Sequence, residues 1–252
     1  MTALLAVAGL NKRFGGLQAV KDVSFTLEPG TITGVLGPNG AGKTTLFNLL
    51  TGFIAADAGS VEFDGAALVG LKPHRIVNRG LARTFQLTRP FVGMTVLENV
   101  EVACFAPRVR RAGHARTRAQ EMLARVGLGD KSALLVDVLP YGDLRRLEIA
   151  RALATRPKLL LLDEPFAGLG TSEIQPLADL IRELHRAEGL TILIIEHKLR
   201  ELMQLVEDVI AMDFGELVAR GEPALIVRHP RVVEAYIGRV EIDESGGPLG
   251  PP

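Results

Sequence analysis

This sequence of 252 residues has a single cysteine and no long apolar run. Its positive and negative charges are equal in number. The single cysteine, Cys104, excludes a disulfide within the chain and fits a reducing compartment. No run of about 18 or more apolar residues occurs, so we expect no membrane-spanning helix. The 29 basic and 29 acidic residues give a net charge of zero, which argues against binding to nucleic acid through a basic surface.

The apolar residues, 47% of the chain, fall into short runs of Leu, Ile and Val that alternate with helical patterns. This alternation favours an α/β fold with a mainly parallel sheet. Runs that are apolar throughout predict the central strands, which are buried on both faces: Ile32–Leu36, Leu159–Asp163 and Thr191–Glu196. Shorter patterns predict an antiparallel unit near the N-terminus with the strands Leu4–Leu10, Asp22–Leu27 and Ser60–Phe63.

The middle of the chain, residues 73–155, lacks strong β patterns, and we expect it to form a helical subdomain. Apolar residues lie on one helical face over residues 115–126. Residues 172–175 have the form of a capping box and predict the start of a further helix. We expect residues 1–238 to form one domain and the polar, Gly- and Pro-rich residues 239–252 to be a disordered tail.

A glycine-rich segment follows the first predicted central strand and precedes an apolar helix. It matches the phosphate-loop pattern G-x-x-x-x-G-K-[ST] in the context that the pattern requires, whereas a purely structural glycine turn would not need that context. Its backbone N–H groups would surround the β-phosphate, Lys43 would lie between the β- and γ-phosphates, and the Thr44 hydroxyl would bind Mg²⁺. The candidate nucleotide-binding residues are Gly37, Pro38, Asn39, Gly40, Ala41, Gly42, Lys43, Thr44 and Thr45.

Two carboxylates close the second central strand. Asp163 would bind Mg²⁺, and Glu164 would orient and deprotonate the water that attacks the γ-phosphate. An isolated Asp-Glu pair at the end of a strand is more often a helix cap or a surface pair. The phosphate loop in the same chain favours the catalytic interpretation.

Further motifs resemble those of the ATP-binding subunits of ABC transporters. Gln86 is similar to the Q-loop glutamine, which contacts Mg²⁺ and the attacking water, and His197 is similar to the switch histidine. Phe14 is similar to the aromatic residue that stacks on adenine. The segment before the Asp163 strand resembles the signature motif, which completes the nucleotide site of a second subunit. Its residues are Leu139, Pro140, Tyr141, Gly142 and Asp143.

The resemblance covers about residues 4–238 and implies a P-loop NTPase of ABC type. The expected fold is a mainly parallel central sheet with an N-terminal antiparallel β subdomain and a helical subdomain. The expected activity is ATP hydrolysis with Mg²⁺, and the implied catalytic residues are Lys43, Gln86, Glu164 and His197.

Four stretches look like the ATPases of branched-chain amino-acid importers: residues 82–100, the Leu-Pro-Tyr-Gly form of the signature at 139–142, residues 166–169 and residues 233–238. In those systems two different ATPase subunits pair beneath two integral membrane permease subunits, which an external solute-binding protein supplies. The resemblance therefore implies a peripheral subunit at the cytoplasmic face of the cell (inner) membrane. A heterodimer of ATPase subunits is expected, with a homodimer as the other option.

The signature segment departs from the usual Leu-Ser-Gly-Gly-Gln. Pro140 replaces the serine and offers neither a hydroxyl nor an N–H, and Asp143 replaces the glutamine with a negative charge. Gly170 and Lys198 also replace acidic or amide residues that are usual in this family. We therefore expect a dimer with two unequal nucleotide sites.

Other functions remain open at this stage. They are an ABC exporter or lipid extractor, a soluble ABC ATPase that acts on DNA or ribosomes, and a P-loop kinase.

A cluster of arginines is interpreted either as a solvated face of the helical subdomain or as a contact with lipid headgroups or a membrane subunit. Its members are Arg108, Arg110, Arg111, Arg116, Arg118 and Arg125.

Overall fold

A computed structural model describes residues 3–110 and 114–237 of the chain. The strands in this part are β1 (Leu5–Phe14), β2 (Leu17–Leu27), β3 (Ile32–Leu36), β4 (Ala58–Phe63), β5 (Ala66–Ala67), β6 (Leu81–Arg83), β7 (Leu159–Asp163), β8 (Thr191–Ile195), β9 (Asp208–Asp213) and β10 (Glu216–Gly221). The helices in the same part are α1 (Lys43–Leu50), α2 (Pro73–Arg79), α3 (Val96–Cys104), α4 (Pro107–Arg110), α5 (Ala115–Arg125), α6 (Tyr141–Ala154), α7 (Thr171–Glu188), α8 (Leu199–Leu205), α9 (Pro223–Ile226) and α10 (Pro230–Ile237). The tail predicted at 239–252 lies outside the described residues.

The central sheet has the strand order β10-β9-β3-β8-β7-β6. Its strands are parallel except at the β9–β10 edge. The three predicted central strands are confirmed, because β3 and β7 have the predicted bounds and β8 ends one residue early, at Ile195. All residues of these three strands are buried, as continuous apolar runs require.

Alternate residues of the central strands pack on opposite faces of the sheet. On one face, Val35, Leu161 and Leu193 join a core formed with the N-terminal sheet and α1. On the other face, Leu36, Leu160 and Ile192 join a core formed with helices α3, α5, α6, α7 and α8. The central sheet is therefore covered on both sides, as an α/β fold requires.

The N-terminal sheet has the order β2-β1-β4-β5 and is antiparallel throughout. The three predicted strands are confirmed in type, but each one is longer than predicted. Strand β1 continues through the polar residues Asn11 to Arg13 and ends at Phe14, because its partner β2 begins at Leu17 and pairs with it there. Hydrophobic alternation does not show this extension, since the added pairs are polar or partly exposed.

The segment 73–155 differs from the helical unit expected there in one respect. Residues Leu81–Arg83 form β6, which pairs in parallel with β7 at the edge of the central sheet. A strand of three residues is too short to produce a periodic pattern, so only the tertiary pairing defines it. The remainder is mostly helical, and α3, α5 and α6 pack against one another.

Two predicted helices can be compared with the structure in detail. Helix α5 matches the prediction for residues 115–126, with Ala119, Met122 and Leu123 buried. Helix α7 begins earlier than the capping box at 172–175 predicts, because Gly170 is the N-cap residue. The carboxylate of Glu173 accepts a hydrogen bond from the Gly170 N–H at 2.9 Å, so Glu173, and not Gln175, closes the first turn.

Most arginines of the predicted cluster have partners within the chain. Arg108 donates to the carbonyl of Arg79 at 3.0 Å, and Arg118 donates to the carbonyl of Ala154 at 2.8 Å. Arg125 forms an ion pair with Glu188, and Arg116 lies 3.9 Å from Glu101. Arg111 lies outside the described residues. Neither the solvated face nor the contact with lipid headgroups or a membrane subunit is tested by these contacts, which occupy several of the arginines within the chain.

The structure can be compared with the sequence at the single cysteine and at the expected lack of a membrane-spanning helix. Cys104 is buried at the end of α3, and burial raises the pKa of its thiol. Among residues 3–110 and 114–237, none of the helices combines the length and apolar composition that crossing a bilayer requires.

Candidate nucleotide-hydrolysis site

The carboxyl ends of β3, β7 and β8, three neighbouring strands, bring the predicted motifs together. The phosphate loop follows β3, Asp163 ends β7 with Glu164 directly after it, and His197 lies just after β8. Ligands of open α/β sheets bind at this edge. The adjacency arises because the strand order places β8 between β3 and β7.

The phosphate loop is held against its neighbours by two glycines. A Cβ atom on Gly37 would lie 2.3 Å from the carbonyl oxygen of Met212, and one on Gly42 would lie 2.3 Å from that of Ala19. Gly42 is also the N-cap of α1, with φ at +98°. The loop therefore leads directly into the N-terminus of α1, where backbone N–H groups and the helix dipole favour anions.

Lys43 is buried and turned back over its own loop. Its Nζ donates to the carbonyl oxygens of Gly37 at 2.6 Å and Pro38 at 2.9 Å. Burial lowers the pKa of this ammonium, while the carboxylates of Glu164 and Asp163 act in the opposite direction. The positive charge of Lys43 is therefore fixed at the loop and faces the two acidic residues.

The side chain of Glu164 contacts two other predicted catalytic residues, His197 and Gln86. Its Oε1 lies 2.7 Å from Nε2 of His197, and its Oε2 accepts a hydrogen bond from Nε2 of Gln86 at 2.9 Å. An imidazole Nε2–H at this distance donates to the carboxylate. Glu164 has φ at +49°, a rare conformation for a non-glycine residue and one found often at functional sites.

The hard oxygen donors that Mg²⁺ prefers are present at the same edge. Asp163 is buried at the end of β7, and Thr44 is exposed in the first turn of α1. In the described part of the chain, no group of three or more His, Cys, Asp or Glu residues is placed to hold a metal ion. A site of one carboxylate and one hydroxyl fits Mg²⁺, which usually keeps waters and substrate phosphates as its other ligands.

Arg83 has a nearly buried side chain in this site, and the sequence gives no sign of its role. Its Nη2 donates to Oδ2 of Asp163 at 2.6 Å, and its Nη1 donates to Oδ1 of Asn48 at 2.6 Å. Aromatic rings surround the guanidinium at 5.2 to 5.9 Å, and they belong to Phe47, Phe53 and Phe85. Only the fold reveals this role, because Arg83 and Asp163 are 80 positions apart.

Glu196 is a second residue whose role the sequence analysis missed. Its Oε1 accepts from the N–H of Phe166 at 2.6 Å, and its Oε2 accepts from the N–H of His197 at 3.0 Å. Burial raises the pKa of this carboxyl. Glu196 thereby joins the loop after Glu164 to the backbone of His197.

Arg145 connects the signature helix α6 to the same loops. Its Nη1 donates to the carbonyl of Phe85 at 3.0 Å, and its Nη2 donates to those of Gln86 at 2.7 Å and Ala167 at 3.1 Å. Its guanidinium also lies 5.0 Å from the ring centre of Tyr141. The orientation of α6 is therefore tied to the segments that carry Gln86 and Glu164.

The signature segment itself lies at the start of α6. Leu139 is buried, Pro140 is the N-cap, and Pro140 and Tyr141 are exposed. Asp143 forms an ion pair with Lys131, so its negative charge is partly offset within the chain. The exposed start of α6 is available to a second molecule.

Phe14 lies at the end of β1, where the β1–β2 hairpin turns. Its ring is 47% exposed, and Nζ of Lys12 lies 5.5 Å from the ring centre. The same hairpin contacts the phosphate loop, since Ala19 of β2 approaches Gly42 closely. Phe14 is thus an exposed aromatic residue on the element that borders the loop.

Comparison with known proteins agrees with this geometry. The family model described as ABC transporter matches residues 20–167. The chain is 43% identical to the high-affinity branched-chain amino acid transport ATP-binding protein LivG of Salmonella typhimurium, over 93% of this chain and 98% of that protein. It is 39% identical to the protein BraF of Pseudomonas aeruginosa, which carries the same description, with the same shares covered.

Solved structures give the same result. The ADP conformation of an ATP-binding cassette of an ABC transporter is 32% identical, with a TM-score of 0.86, over 95% of this chain and all of that chain. A nucleotide-free cassette is 31% identical with a TM-score of 0.85. The chain therefore belongs to the ABC transporter family, as one of its ATP-hydrolysing, ATP-binding subunits.

Proposed function

We propose that this chain powers an ABC importer for branched-chain or related amino acids, with Lys43, Gln86, Asp163, Glu164 and His197 as its hydrolysis site. The observation that carries the proposal is the convergence of Gln86 and His197 on Glu164. The names of the relatives LivG and BraF support the substrate class.

Hydrolysis at this site depends mainly on position and charge. Lys43 and the N–H groups at the start of α1 bind the phosphates. Glu164 accepts a proton from the attacking water, while Gln86 and His197 hold the carboxylate that does so. Asp163 and Thr44 would hold Mg²⁺, which would supply positive charge to offset that of the phosphates. Phe14 is proposed to stack on the adenine ring, for which an exposed π-face is enough.

A second subunit completes each site. The signature segment 139–143, which is exposed at Pro140 and Tyr141, would contact ATP held by that subunit, and that subunit's signature would contact ATP at Lys43. A solved bacterial ABC transporter cassette that is 25% identical, with a TM-score of 0.76, is described as dimeric. Because Pro140 lacks a hydroxyl, we propose a heterodimer in which the site completed by this chain's signature is the weaker one.

The ATPase pair would act from the cytoplasmic face of the cell membrane. It would contact two integral membrane permease subunits, and an external solute-binding protein would supply the solute. Nucleic acid is not an expected partner, because the chain carries no net charge.

The test is purification of the tagged chain from native membranes in mild detergent with ATP and Mg²⁺. Two different membrane subunits and a second ATPase are the expected companions. Two copies of this chain with a lipid-handling membrane pair would favour the exporter. Recovery in the soluble fraction alone, without companions, would contradict a transport function.

A further inference from the structure

The C-terminal helix α10 reaches the phosphate loop through one side chain. The hydroxyl oxygen of Tyr236 accepts a hydrogen bond from the backbone N–H of Gly37 at 2.9 Å. These residues are 199 positions apart in the chain. Burial raises the pKa of the Tyr236 hydroxyl.

Both backbone polar groups of Gly37 form hydrogen bonds with side chains. Its N–H donates to Tyr236, and its carbonyl oxygen accepts from Nζ of Lys43 at 2.6 Å. Gly37 is buried and lies past the end of β3, where Tyr236 supplies the acceptor that its N–H needs. Buried N–H groups need such a partner. A chain of two hydrogen bonds therefore joins α10 to the lysine of the phosphate loop.

Helix α10 also packs beside the element that follows His197. Tyr236 lines an apolar pocket of about 150 Å³ together with Leu36, Leu199, Val227, Val232 and Val233. Leu36 directly precedes the phosphate loop, and Leu199 begins α8, two residues after His197. The same face of α10 thus contacts the segments that precede the loop and follow the histidine.

We propose that Tyr236 is a positioning residue for the phosphate loop: by fixing the Gly37 peptide, it sets the place of Lys43 for ATP binding. This inference rests on the proposed role of Lys43. It gives the C-terminal helix a part in nucleotide binding, although the helix follows the last motif of the hydrolysis site by 33 residues in the chain, from His197 to Pro230.

The test compares Tyr236→Phe with Val233→Ala in the full chain. Tyr236→Phe removes only the hydroxyl, whereas Val233→Ala removes apolar contact from the same helix and keeps the hydroxyl. We expect Tyr236→Phe to raise the KM for ATP by about three- to tenfold, as the loss of one acceptor for a buried donor predicts. Its kcat should stay within about twofold, because Glu164 and His197 are untouched. Val233→Ala should lower the Tm and leave KM unchanged.

A spectroscopic measurement tests the hydrogen bond itself. Labelling with ¹³C-leucine and ¹⁵N-glycine selects the amides of glycines that follow leucine, which are Gly37, Gly129, Gly170 and Gly250. In Tyr236→Phe the Gly37 amide should shift and exchange faster with solvent, while the other three should not change.

The outcomes separate this inference from the proposed site. A wild-type chain that fails to bind ATP would overturn both. A wild-type chain that binds ATP, together with an unchanged KM and an unshifted Gly37 amide in Tyr236→Phe, would overturn the role of Tyr236 alone. Equal changes of KM in both variants would also overturn it, since the helix would then act only through stability.

Discussion

The guanidinium of Arg83 occupies the interior beside the carboxylate of Asp163, at 2.6 Å, and both side chains are at most 6% exposed. A buried ion pair of this kind adds little net stability, but removing one partner leaves the other charge buried and unpaired. The pair therefore fixes the orientation of Asp163, which the proposed Mg²⁺ site needs. Loss of either partner would lower the free energy of unfolding.

A double-mutant cycle tests this coupling. Arg83→Met should destabilise the fold by about 3–5 kcal/mol, because Asp163 is left uncompensated. Asp163→Asn should also destabilise the fold. The double variant should lose less free energy of unfolding than the two single variants lose together. Denaturant unfolding measures all four proteins. Strictly additive losses would contradict the coupling.

Residues of the site differ in how far the sequence predicts them. Lys43 and Thr44 belong to a contiguous motif in which the order of the residues places them at the phosphates. The sequence alone therefore predicts their roles. Arg83 and Glu196 carry no local signal, because their partners Asp163 and Phe166 are brought to them only by strand pairing and loop packing. The link from Tyr236 to Gly37 depends on tertiary structure in the same way.

At the scale of single elements, helix α6 carries an unusual carboxyl group. Glu148 is buried on this helix, and desolvation raises its pKa from 4.5 to about 7. The charges of Arg145 and Arg151 and a hydrogen bond at Phe85 oppose this rise. The folded chain therefore keeps a proton on Glu148 at pH values where the unfolded chain has released it.

This difference predicts a dependence of stability on pH. Between pH 4.5 and about 7, the folded state binds more protons than the unfolded state, so the free energy of unfolding falls as pH rises. In Glu148→Gln this fall should be smaller by about 3 kcal/mol, at roughly 1.4 kcal/mol per pKa unit. Thermal unfolding over this range measures it, with the exposed Glu183→Gln as control. Parallel curves for wild type and Glu148→Gln would contradict the prediction.

Elements were predictable where pattern and burial coincide. Strands β3 and β7 are apolar throughout because both faces are covered, so their bounds follow from the sequence. Strand β6 was missed because three residues show no period, and its existence depends on β7. The start of α7 was misplaced because a glycine N-cap leaves no side-chain signal, and only the contact of Glu173 with Gly170 marks it.

At the scale of the whole molecule, the two nucleotide sites of the proposed pair should respond differently to one change. Pro140→Ser restores a hydroxyl at the N-cap of α6, which the site on the second subunit would use. We expect ATP to bind that site about tenfold more tightly, as one charge-assisted hydrogen bond predicts, and the site at Lys43 to be unchanged. Calorimetric titration of the purified pair resolves the two sites. Equal changes at both sites would contradict the unequal arrangement.

The central claim is that hydrolysis at Glu164 powers amino-acid uptake, and transport by living cells tests it most directly. The measurement is uptake of labelled leucine, isoleucine and valine in cells that lack this gene and receive either the wild-type chain or Glu164→Gln. We predict that deletion lowers uptake and that the wild type restores it. Glu164→Gln should accumulate to the same level in the membrane, bind ATP and fail to restore uptake, because the water is no longer deprotonated. Restoration of uptake by Glu164→Gln, or uptake that deletion leaves unchanged, would contradict the claim.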